Sequence, residues 1–150
     1  MVRHLIRRFF GHVTARPLSP AEQAAVANVL SPTLRSLFYS QAVGDQRHAY
    51  TVAARVPPHL REAALLHDVG KVDCRLGAIQ RSLATVYAWL GLPMWGRWEC
   101  YLNHGRIGAR RIEAAGGSRM AVQFALHHPG PTPEGVDRDA WYALSAADDG

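Results

Sequence analysis

Cysteine is nearly absent from this chain. Cys74 and Cys100 are its only two, isolated and without Cys-x-x-Cys spacing. They form no motif and are expected as free thiols rather than as a disulfide. Long apolar runs are missing too: none approaches the ~18 residues that span a bilayer. The basic N-terminus lacks the uninterrupted apolar region of a signal peptide, and the protein is expected to be cytoplasmic. Strand-type alternation, internal repeats and signs of a second domain are also lacking. One all-α domain is therefore the expectation for 150 residues, 48% of them hydrophobic and able to build a core. Negative charge is in deficit, with 12 acidic against 17 basic side chains and a net charge of +5. That balance favours anionic partners, namely phosphorylated metabolites, nucleic acid or an anionic membrane surface, without choosing among them.

Several helix starts are written plainly. Ser19-Pro20-Ala21-Glu22 combines an N-cap, a proline at the first helical position and a capping-box glutamate. Ser31-Pro32 repeats the signal. Gly44-Asp45 is expected to break that second helix, with Asp45 capping a third over about 46–56. Pro57-Pro58 ends it, and another helix follows over 58–68. Helices are also expected over 78–90, 99–115, 119–128 and 134–148. Trp89, Trp95 and Trp98 fit a core or pocket wall better than a nucleic-acid platform. In residues 1–16, Leu5, Ile6, Phe9 and Phe10 share one helical face amid arginines. Packing on the domain is the simple account. Contact with a membrane surface or a partner is the alternative.

The chemistry-bearing stretch is Ala63-Ala64-Leu65-Leu66-His67-Asp68-Val69-Gly70-Lys71. His48 precedes it, at helical spacing from Val52 and Val56, so it lies on an apolar stripe. His67 faces inward with Leu60, Ala63 and Ala64. His104, the pair His127-His128, and Asp148 follow. A single inward histidine is as readily a hydrogen-bonded core residue as a ligand. Imidazoles and carboxylates in series form a donor set for iron, manganese or zinc.

The order H…HD…H…HH…D over roughly residues 45–150 resembles the HD-domain superfamily. The resemblance implies a single helical bundle, with residues 1–44 as N-terminal helices packed on a metal-binding domain of residues 45–150. It also implies two divalent transition-metal ions, iron or manganese first and zinc as a possibility, about 3.5–4 Å apart and bridged by Asp68. His48, His67 and Asp148 would complete one site. His104, His127 and His128 would complete the other, with one of the adjacent pair open to a supporting role. Asp148, which follows an alanine as in the family, is preferred to Asp149.

The implied function is a dinuclear phosphohydrolase acting on a small anionic substrate, a phosphomonoester or phosphodiester such as a nucleotide or dinucleotide. Asp68 and Lys71 would be its catalytic residues, the lysine contacting phosphate. Arg47, Arg75, Arg106 and Arg110 are further candidate phosphate contacts. The His127-His128 pair resembles the HD-GYP branch, but the sequence after it, Pro129-Gly130-Pro131, lacks the Gly-Tyr-Pro signature. Two alternatives stay open. One is a mixed-valent di-iron oxygenase, which generally uses one histidine where this chain has two. The other is a non-catalytic signalling or binding module.

Overall fold

The computed structural model describes residues 15–149 except 75, 78–79, 81–82, 84–86, 88–90, 92 and 94. Every regular element among them is helical. Helix α1 (Pro20–Val29) opens on the expected capping box: Ser19 Oγ accepts from the Glu22 amide, and Glu22 Oε2 accepts from the Ser19 amide at 2.7 Å. Helix α2 (Pro32–Tyr39) starts at Ser31, whose hydroxyl accepts from the Leu34 amide. Leu34 and Phe38 point into the core.

Helix α3 (Val43–Ala54) departs from expectation. Gly44 and Asp45 do not break the chain but lie buried in its first turn. The break falls at residues 40–42, where the Gln46 amide side chain satisfies the Gln41 carbonyl at 2.7 Å. A short 3-10 turn (Pro58–Leu60) leads into α4 (Arg61–Leu66), a tight turn over 67–70, and α5 (Lys71–Cys74). The helix expected over 99–115 is two, α6 (Arg97–Leu102) and α7 (His104–Ala114), parted at Asn103. Helix α8 (Arg119–His127) begins at the Ser118 cap. Helix α9 (Arg138–Asp149) starts later than expected. The Asp137 carboxylate accepts from the amides of Asp139 and Ala140, and so sets the start of α9.

One apolar cluster joins Leu18, Val26, Leu34 and Phe38 of the first helices to Leu65, Ile112, Phe124, Trp141 and Leu144. A smaller one holds Cys74 and Leu76, with Trp98, Cys100 and Tyr101 against them. Here the free-thiol expectation is overturned. Cys74 and Cys100 are joined as a disulfide, with Cα atoms 5.3 Å apart across a sequence separation of 26. Spacing alone does not reveal that α5 and α6 pack side by side. Trp95 is 75% exposed and is no core residue, whereas Trp98 is half-buried. No helix among the described residues is long and apolar enough to cross a membrane. The helical reading of residues 1–14, most of the 78–90 helix, Trp89 and Arg75 lie outside the described residues.

Candidate metal centre

Helix ends build this site. His67 is the residue after α4, His104 the first of α7, His128 the residue after α8, and Asp148 the last but one of α9. Only His48 comes from mid-helix, on α3. A helix end leaves carbonyls unpaired, and two of these orient ligands. His67 Nδ1 donates to the Ala64 carbonyl at 2.8 Å, and His104 Nδ1 donates to the Tyr101 carbonyl, each three residues back. Both rings are thereby held with Nε2 turned toward Asp68. Metal-binding histidines are commonly fixed in this way.

Glycines bring the backbones close enough. A Cβ at Gly70 would run into the His104 carbonyl and the Gly108 amide. One at Gly105 would lie 2.6 Å from the Ala125 carbonyl on α8. The turn that carries Asp68 can therefore sit directly on the start of α7.

The polar atoms converge around the two carboxylates. His48 Nε2 lies 2.7 Å from Asp148 Oδ1, and His128 Nε2 lies 2.9 Å from Asp148 Oδ2. His67 Nε2 is 3.4 Å from Asp68 Oδ2 and 3.5 Å from Asp148 Oδ1. His104 Nε2 is 3.5 Å from the other oxygen of Asp68, Oδ1. The Lys71 ammonium sits on Asp68 Oδ2. Phe124 packs beneath His67 and His128, with ring centroids 5.9 and 5.2 Å away, and gives the site an apolar floor.

Electrostatics follow from this crowding. Burial pushes the His67 imidazole toward neutrality, but Asp68 first and then Asp148 overcome it and raise its pKa to about 10. Asp68 meets the same opposition from burial. The Lys71 ammonium, followed by His67, holds its carboxyl well below the usual range. Burial, reinforced by the charge on His67, lowers His128 to about 4. The pair of carboxylates thus draws in positive charge, and His67 supplies it as a proton.

A metal ion fits this donor set. His67 Nε2 and Asp68 Oδ1 are fully buried and make no hydrogen bond. A buried polar atom without a hydrogen bond costs about 1–3 kcal/mol, and the opposite charges 3.4–3.5 Å away offset part of that. Two groups of side chains, His48 with His67 and Asp68, and His67 with His128 and Asp148, hold donor atoms close enough to share one ion. Nitrogen and oxygen donors of this kind suit iron, manganese or zinc.

Six of the seven expected ligands gather here, and His127 does not. It ends α8 exposed to solvent, while His128 turns inward from extended backbone. The expected partition also changes, because His128 stands with Asp148 and His67 rather than with His104. Asp149 is exposed and Asp148 buried, in line with the preference for the latter. Arg47 is occupied elsewhere: it binds Glu22 and the carbonyls of Arg16 and Pro17. Arg106 and Arg110 are exposed. Phe124 and Tyr101 were not singled out from sequence. Tyr101 was accessible through its spacing, three residues before a histidine as Ala64 is. Comparison with protein-family models, curated proteins and solved structures gives no match to this chain.

Proposed function

We propose that the chain is a metal-dependent phosphohydrolase of the HD-domain kind, acting on a phosphomonoester or phosphodiester. The carrying observation is the buried convergence of His67 Nε2 and Asp68 Oδ1, neither of which has a hydrogen bond, beside the Lys71 ammonium. The groups His48–His67–Asp68 and His67–His128–Asp148, which share His67, would hold a divalent ion. Asp68 Oδ1 and His104 would contribute to a second. Metal bound there supplies Lewis acidity and a water acidified toward neutral pH.

The chain's own groups do the rest. Lys71 is the only lysine in a chain whose other basic side chains are arginines. Its compact ammonium, mostly buried beside Asp68, stabilises negative charge on a phosphoryl oxygen. Asp68 holds that ammonium in place. Phe124 keeps water from the inner side of the histidines.

The test is hydrolysis of an activated phosphodiester and a nucleotide panel under anaerobic conditions, with manganese or iron supplied. Lys71→Ala should keep its metal and lose rate by ~10²–10³. No turnover on any substrate would remove the reading, and unchanged turnover in Lys71→Ala would remove only the lysine's role. One observation favours a second reading. With His127 outside the cluster, the second histidine no longer argues against a di-iron oxygenase. Dioxygen consumption by the reduced iron form, with no anaerobic hydrolysis, would select it. Metal binding without either activity would point to a binding module.

A further inference from the structure

The ring of His104 is oriented from a helix that contributes nothing to the main core. Its ring is oriented by Tyr101, through the carbonyl and by stacking at a centroid distance of 5.4 Å and an interplanar angle of 26°. Tyr101 belongs to α6, a helix with no buried residue of its own. Among the described residues, the small cluster around it contains two buried side chains, Cys74 and Leu76. The covalent anchor is Cys100, next to Tyr101, bonded to Cys74. Cys74 lies on α5, one turn beyond Lys71, and Arg111 of α7 reaches Asp73 of the same helix. His48, His67 and Asp148 are placed from α3, α4 and α9, which are rooted in the main core together with α7 itself, through its Ala109 and Ile112, and no residue of α6 orients them.

We infer that the Cys74–Cys100 disulfide positions His104, so that a dithiol which reduces it releases the His104 side of the centre and leaves the His48–His67–Asp148 side in place. Reduction breaks one S–S bond. Two electrons and two protons pass from the dithiol, which leaves as its own disulfide, and Cys74 and Cys100 become thiols. The Gly70 carbonyl, 3.7 Å from Cys74 Sγ, is a ready acceptor for the new thiol, so the buried end of the pair keeps its seat. Cys100, half-buried, is the end that moves away with α6. The placement of His104 is independent of the reading above, and only its effect on activity rests on that reading.

The experiment compares the oxidised full-length chain, the same chain after phosphine reduction and anaerobic desalting, and Cys100→Ser. Long-range nitrogen–proton NMR reports the histidine tautomers, and hydrogen exchange reports the amides. In the oxidised chain His104 should hold its proton on Nδ1. Reduction should average its two tautomers and speed exchange at 97–104 by roughly tenfold or more, with His48 and His67 unchanged. Cys100→Ser should match the reduced chain and not respond to phosphine. An unchanged His104 after both thiols are titrated would overturn the inference. So would equal loosening of His48 and His67, which would make the disulfide a general staple. Manganese titration of both forms separates the two ideas. Binding in neither form defeats the metal centre, while the tautomer result still decides the brace.

Discussion

Asp68 is a buried acid that keeps its charge because cations stand against it, and in the metal-free protein one of them is the protonated imidazole of His67. Its pKa of about 10, against an ordinary 6.5, means that this charge stabilises the fold fully below pH 6.5 and ceases to do so as pH rises through about 10. A metal entering at His67 must displace that proton. Metal binding at neutral pH should therefore release a proton, and apparent affinity should climb with pH. Calorimetry in buffers of different ionisation enthalpy measures this, and zero net release would take His67 out of the ligand set. A second expectation separates the adjacent histidines. His128→Ala should weaken metal binding by at least the ~10–100-fold typical of a lost supporting residue. His127→Ala should leave affinity unchanged and alter stability by no more than ~0.5 kcal/mol, as exposed positions generally do. The sequence names both histidines equally. Only the change from helix to extended backbone at residue 128 tells them apart.

Elements matter here chiefly through where they stop. The starts at Ser19 and Ser31 were legible because each cap is a local bond between a hydroxyl and an amide three residues on. The start at Val43 was not, because Gly44 and Asp45 are tolerated in a first turn when tertiary packing buries them. The same holds for the break at Asn103, and for the approach of α5 to α6 that brings the cysteines together. The residue types that meet around Asp68 and Asp148 were legible as a pattern. Their pairing was not, because it depends on how helix ends meet. Gly70 is the tightest such meeting. Gly70→Ala would force the α4–α5 turn away from α7, with a destabilisation of about 1–3 kcal/mol expected for overpacking and loss of the Asp68–His104 approach. Denaturant midpoints and metal stoichiometry measure the two effects. Wild-type values for both would show that the turn can shift without cost.

At the scale of the molecule, residues 16–22 are tied to α3, the helix that carries His48. Arg47, the neighbour of His48, grips Glu22 and the carbonyls of Arg16 and Pro17. The Arg47 hydrogen bond first, and the Ser19 amide second, lower the Glu22 carboxyl to about 2. This tie is complete above the ordinary value of 4.5 and loosens as pH falls through about 2. Amide exchange at Ser19 should show that acid dependence, and Glu22→Gln should abolish it. An identical acid profile in the variant would mean that another group ties this segment. The centre itself closes a far longer circuit. His48 and Asp148 meet across 100 residues of chain, and the carboxylate is the last donor to be synthesised. The histidines of a nascent chain are therefore made before both carboxylates can be in place. If the proposed ion binds, its selective loading must wait until α9 docks, and the rate of metal capture during refolding would then serve as a clock for the final long-range contact of the fold.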